Sequence, residues 1–194
     1  GPAVVATVGD DGQLRLWDTR AGEGPQLEQR VSDVDVLSVD WSFFQEWTLA
    51  TSSKDGAVRV WDLRAAGDLP GSPPQVQRAP VHDLRGHTGD AVAVRWAPFR
   101  PGLLASCGTD SRVCFWDLEA SGDSDGEDPA EGKDPPQLLL SHMGHWEGVS
   151  DFSWSPVDDY LACSVAEDNS LQIWQPSTTF YLGDSDDERA PAGA

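Results

Sequence analysis

Four tryptophans in this chain are preceded by the same ladder of residues. Trp17, Trp61, Trp116 and Trp174 each have an Asp six positions upstream: Asp11, Asp55, Asp110 and Asp168. Each also has a hydroxyl residue ten upstream: Thr7, Thr51, Ser106 and Ser164. The last three have a second tryptophan twenty upstream: Trp41, Trp96 and Trp154. Self-similarity with a period of about 40 to 60 residues specifies stacked, repeated units. Spacing within a unit is fixed, whereas the key tryptophans lie 44, 55 and 58 residues apart. Length therefore varies in loops between unit cores, which tolerate insertion at little entropic cost.

Each unit reads as short strands. Ala91-Val-Ala-Val-Arg-Trp96 alternates around small and β-branched residues, Leu103-Leu-Ala-Ser106 is a second run, and Arg112-Val-Cys-Phe-Trp116 a third. Between the second and third runs stand Asp11-Gly12, Asp55-Gly56, Asp110-Ser111 and Asp168-Asn169, which predict tight hairpins. No window carries an apolar stripe of helical period over three turns. The fold class is all-β.

Gly86-His87 and Gly144-His145 lie 29 residues before Trp116 and Trp174. With the turn Asp and the endings Trp17-Asp18, Trp61-Asp62 and Trp116-Asp117, the units resemble the WD repeat of β-propellers. A buried polar relay explains the residue types. Asp110 accepts from His87, His87 contacts Ser106, and Ser106 accepts the Trp116 indole N–H, which needs a partner when buried. His145, Ser164, Asp168 and Trp174 form the same set one unit later. The set recurs in units with no reason to share chemistry, so it is read as structural and not as a catalytic triad. Ser32 stands where the second unit expects His, leaving that relay incomplete, and Gln175 replaces the Asp after Trp174.

The sequence holds about three and a half units and begins inside a second strand, Ala3-Val-Val-Ala-Thr7. It is expected to be the C-terminal part of a larger, seven-bladed ring. Blades end near 20, 64, 118 and 176, the propeller runs over 1–182, and 183–194 form an acidic tail expected to fray.

The net charge is −20, from 33 acidic and 13 basic residues. Direct binding to nucleic-acid phosphates is disfavoured. A basic partner and simple solubility both accord with such a charge. Cys107, Cys114 and Cys163 show no metal-ligand spacing and read as free thiols in strands. No apolar run approaches the roughly 18 residues of a membrane span. Two segments break the repeat. Residues 67–79 are rich in Pro and Gly, and 121–136 are acidic and poor in apolar residues, so they should be disordered without a partner.

A closer resemblance lies in Leu104-Ala-Ser-Cys-Gly-Thr-Asp-Ser-Arg-Val113, Asp134-Pro-Pro-Gln-Leu-Leu-Leu140 and His142-Met-Gly-His145. It continues through Ser150-Asp-Phe-Ser-Trp-Ser-Pro156, Cys163-Ser-Val-Ala-Glu-Asp-Asn169 and Gln172-Ile-Trp-Gln175. These segments are similar to the retinoblastoma-binding, histone-binding WD proteins, the small-subunit type of chromatin assembly factor 1. Asp10-Asp11-Gly-Gln-Leu-Arg-Leu-Trp-Asp-Thr-Arg20 fits the same family.

The resemblance implies a nuclear, non-catalytic, histone-binding scaffold subunit of assembly, deacetylase, remodelling or Polycomb complexes. It implies no cofactor, no metal and no small-molecule substrate. It further implies two surfaces. On the top face, Asp10, Asp35, Asp90 and Glu167 would hold basic histone H3 tails. At the side, Asp128, Glu131, Asp134, Pro135 and Pro136 would form a loop backed by Leu138 and Leu140. With Phe180 and Tyr181, this loop would clasp the first helix of histone H4. Lys133 stands where the family tends to carry an acid, and Leu140 replaces a usual Phe. The family's N-terminal helix is absent from this sequence, so the pocket is expected to be half-built.

Two other classes stand beside this one. A WD-repeat adaptor for a ubiquitin ligase, ribosome biogenesis or peroxisomal cargo would keep the repeats but not the acidic Pro-Pro loop followed by leucines. An enzyme would need a site the repeats do not explain. His82 and His142 lie outside the relay, with no Cys or Ser partner at recognisable spacing.

Overall fold

The computed structural model describes residues 4–20, 23–64, 79–120 and 135–177. These hold fourteen strands in four antiparallel sheets and no helix. The first sheet is β1 (Val4–Val8), β2 (Gln13–Asp18) and β3 (Leu27–Arg30). The second is β4 (Val36–Trp41), β5 (Thr48–Ser53), β6 (Ala57–Asp62) and β7 (His82–Arg85). The third is β8 (Ala91–Trp96), β9 (Leu103–Gly108), β10 (Val113–Asp117) and β11 (Leu138–His142). The fourth is β12 (Val149–Trp154), β13 (Ala162–Ala166) and β14 (Leu171–Trp174). Two complete four-stranded blades thus stand between two three-stranded ones, as the repeat count predicts.

The hairpins fall where Asp-Gly and its equivalents predict them. Gly12, Gly56, Ser111 and Asn169 each follow the turn Asp and each have φ between 62° and 74°. That left-handed position suits Gly and tolerates Asn. The first two turns require Gly for a second reason. A Cβ at Gly12 would strike the Ser32 carbonyl, and one at Gly56 would lie 2.8 Å from the Gly89 carbonyl oxygen. A register shift recurs early in the first strand of each of the last three sheets. It falls at Val36/Ser38, Ala91/Ala93 and Val149/Asp151. Such a bulge increases local twist and turns the strand toward its neighbour.

Three apolar cores lie between consecutive sheets. Leu14 and Leu16 of the first sheet meet Leu49 and Trp61 of the second. Val58 and Val60 meet Leu104 and Trp116 of the third. Phe115 meets Phe152 and Trp154 of the fourth. Because both of its faces are covered, every residue of β9 and β10 is buried. In the third and fourth blades the second tryptophan of the ladder joins adjacent inner strands. Trp96 Nε1 donates to the Asp40 carbonyl at 3.2 Å and Trp154 Nε1 to that of Arg95 at 3.4 Å.

Candidate functional site: a structural relay and an acidic rim

The relay takes the predicted form in the third blade. Trp116 Nε1 donates to Ser106 Oγ at 2.8 Å, and Ser106 Oγ lies 2.8 Å from His87 Nε2. His87 Nδ1 lies 2.9 Å from Asp110 Oδ1, and Asp110 also accepts the Thr88 N–H at 2.9 Å. With neutral imidazole the Ser106 hydroxyl donates to Nε2; with imidazolium the direction reverses. Burial opposes a charge on His87, but the Asp110 carboxylate and the adjacent Cys114 thiol outweigh it and raise its pKa to about 9. The imidazole and carboxylate side chains are 0% and 4% exposed. A nucleophile so enclosed meets no substrate, which supports the structural reading.

The fourth blade repeats the relay with one addition. Trp174 donates to Ser164 at 3.1 Å and Ser164 lies 2.7 Å from His145 Nε2. Asp168, however, has moved to 3.4 Å from His145 Nδ1, and Ser170 Oγ sits at 3.0 Å from the same nitrogen. The Ser170 hydroxyl donates to Asp168 at 2.6 Å, and this bond, with the Trp146 N–H, holds the carboxyl well below its usual range.

The second blade lacks the His, and an arginine stands in its place. Trp61 still donates to Thr51, at 2.9 Å. Ser32 only accepts the Val34 N–H and does not continue the chain. Asp55 is instead held by Arg59 at 2.5 Å and by the Ser53 hydroxyl at 2.6 Å. Burial pushes the Asp55 pKa up, and Arg59, Ser53 and the Ala57 N–H together bring it down to about 2. The first blade matches: Trp17 donates to Thr7 at 2.9 Å, and Arg15 pairs with Asp11 at 2.6 Å. Arg15 and Arg59 lie two residues before the key Trp, where the His-bearing blades have Cys114 and Gln172. That exchange is written in the sequence and marks the two blades whose turn carboxylate is held by arginine.

His142 is accounted for as packing. Its ring stacks on Trp174 of the next blade at 3.9 Å between centroids and 10° between planes, and Nε2 lies 3.0 Å from Gln172 Oε1. Among the described residues no group of three His, Cys, Asp or Glu is placed to hold a metal ion.

The top-face candidates come from two kinds of loop at one end of the sheets. Asp35 and Asp90 immediately precede the inner strands β4 and β8, whereas Asp10 and Glu167 sit in the hairpins. Main-chain bonds clasp the two loops of each blade at the same point: Lys54 N–H to Asp35, Thr109 to Asp90 and Glu167 to Gly148, at 3.0, 3.0 and 2.9 Å. The acids therefore stand on a common rim. Lys54 reaches across it to Asp35 at 2.6 Å. Its pKa is raised, first by that hydrogen bond and the Asp35 charge, then by the charges of Asp10 and Asp90 against the opposing effect of burial. Carboxylates from three successive blades thus act on one ammonium. Asp35 is already partnered, which its sequence did not reveal.

At the side, Asp128, Glu131, Asp134, Phe180 and Tyr181 lie outside the described residues. Pro135 accepts the Leu138 N–H at 2.8 Å, closing a turn into β11. Pro136 is exposed. Leu138 and Leu140 are half-buried and separate across a register shift, Leu138 toward the core shared with the second sheet and Leu140 toward that shared with the fourth.

Residues 27–62, 78–117 and 136–175 match the WD domain, G-beta repeat family. The chain belongs to the WD-repeat family. Within it, the chain is 38% identical over 184 residues to WD-40 repeat-containing protein MSI3 of Arabidopsis thaliana, covering 94% of this chain and 41% of the relative. It is 28% identical over 178 residues to histone acetyltransferase type B subunit 2 of Debaryomyces hansenii, covering 91% and 42%. The protein of the same name from Candida glabrata is 34% identical over 99 residues, 51% of this chain and 23% of the relative. These relatives bear out the family resemblance carried by the repeats. The chain spans about two fifths of the length of the first two.

Proposed function

We propose that this chain is part of a nuclear, non-catalytic scaffold that binds histones within chromatin complexes. One observation carries the reading. Two kinds of loop at one end of the sheets set Asp35 against the Lys54 ammonium at 2.6 Å, with Asp10 and Asp90 acting on it through their charge, and Glu167 stands at the same hairpin position as Asp10 in the fourth blade. A rim of this kind suits Lys and Arg side chains of an extended basic peptide such as the H3 tail. The net charge of −20 steers such a ligand inward. Relatives named as subunits of a histone acetyltransferase support the chromatin setting, and the enclosed relay supports a scaffold role.

The side surface is proposed for the first helix of histone H4. The acidic run with Asp128, Glu131 and Asp134 would steer a basic amphipathic helix toward Pro135, Pro136 and the half-buried Leu138 and Leu140, with Phe180 and Tyr181 completing the clasp.

Calorimetric titration with an H3-tail peptide at two salt concentrations tests the rim. Asp90→Lys with Glu167→Lys should weaken binding at both and flatten the salt dependence, because reversed charges face the ligand's own. Unchanged affinity would move the peptide elsewhere.

A further inference from the structure

The rim carries a cation of its own. Lys54 occupies the hairpin position that is Asp10 in the first blade and Glu167 in the fourth. Its Nζ lies 2.6 Å from Asp35 Oδ2, and its side chain is 48% exposed. The pair is held by more than charge, since the Lys54 N–H also donates to the Asp35 carbonyl at 3.0 Å. The third blade shows the same two positions without a cation. There Thr109 replaces the lysine, and its hydroxyl accepts the Asp90 N–H at 2.9 Å. The second blade alone, among the described residues, therefore answers its rim carboxylate from within.

We propose that Lys54 is an intramolecular counter-ion that competes with the cationic side chains of a bound peptide for Asp35, and so sets both the strength and the position of binding on the rim. This rests on the rim being the site for basic peptides. A ligand lysine or arginine reaching Asp35 must displace the Lys54 ammonium, whereas one reaching Asp90 or Glu167 meets no such rival. A basic peptide is accordingly read by the third and fourth blades first. Neutralising Lys54, by substitution or by acylation of its amino group, opens the second blade as well.

The test is a titration of the full-length protein with a Lys/Arg-rich H3-tail peptide, using wild type, Lys54→Met, Asp35→Asn and the double variant. Lys54→Met should bind roughly two- to five-fold more tightly, the range of one exposed ion pair released. In the Asp35→Asn background the same substitution should gain clearly less. Binding that Lys54→Met leaves equal or weaker overturns the proposal while leaving the rim reading intact. So does an equal gain in both backgrounds, because Lys54 would then act only as a distant charge. Absence of binding in all four proteins overturns the rim reading and the proposal with it.

Discussion

The second and third blades solve one problem in two ways. Both bury a tryptophan whose N–H a hydroxyl ten residues upstream accepts, at 2.9 and 2.8 Å. Both place a carboxylate at the adjoining hairpin. In the third blade that carboxylate is tied through His87 to Ser106, so the hairpin, the segment leading into β8 and the core strands β9 and β10 form one chain of hydrogen bonds. In the second the chain is cut. Asp55 turns to Arg59, which also lies 3.6 Å from Asp83 on the outermost strand. The carboxylate of the third blade is 4% exposed, that of the second 28%. The difference teaches that the hairpin needs a partnered carboxylate, while the histidine adds coupling to the core.

Substitutions can break this contrast, beginning with the largest expected effect. Trp116→Ala removes a fully buried ring and deprives the Ser106 hydroxyl of its indole donor. It should cost roughly 3–5 kcal/mol, with a further contribution from unsatisfied groups, read as a denaturant-unfolding midpoint in the full-length protein. Near-normal stability would refute the relay.

His87→Ala strands a buried carboxylate and should cost about 3 kcal/mol. Arg59→Ala opens a partly exposed pair and should cost about 1 kcal/mol. Equal losses by chemical denaturation would erase the distinction between the blades.

The histidine also makes a prediction in pH. Its folded pKa is raised from 6.5 to about 9. A raised pKa contributes stability that is fully present below about 6.5 and is lost as pH climbs through about 9. Unfolding measured across that window should show a decline on the order of 3 kcal/mol. His87→Gln should flatten it. A wild-type profile as flat as the variant's would mean that the imidazole stays neutral.

The smallest effect belongs to the rim. Asp90→Lys with Glu167→Lys should change the unfolding free energy very little, within about 0.5 kcal/mol, since the two side chains bear on loops and not on a core. A large loss would make these acids part of the architecture.

Much of this was legible in the sequence because it depends on local spacing. The hairpins follow from the residue after each turn Asp, and the positive φ at Ser111 and Asn169 shows that position, more than glycine itself, sets the turn. The relay followed from its recurrence. The arginine substitution did not, because Arg59 acquires its role from Asp55 and Asp83, and Asp83 belongs to a strand 24 residues further on. Lys54 reads as an ordinary solvated turn residue until its distance to Asp35 is known. The stack of His142 on Trp174 joins two blades, and no pattern within one unit records it.

The indole links between inner strands carry a mechanical consequence. Packed sheets have no backbone ladder joining one to the next, so they could slide or splay about their shared side chains. Trp96 and Trp154 lie at the ends of β8 and β12 opposite the rim, and each is pinned to the carbonyl backbone of the preceding sheet. The opposite end is held by the chain itself, because the segments between β3 and β4, β7 and β8, and β11 and β12 cross from sheet to sheet at the rim. The last three sheets are thus fastened at both ends, indole to carbonyl at one and by the continuous chain at the other. The rim carboxylates stand on or beside the fastening loops, so their spacing is held by the same ties that keep the sheets together.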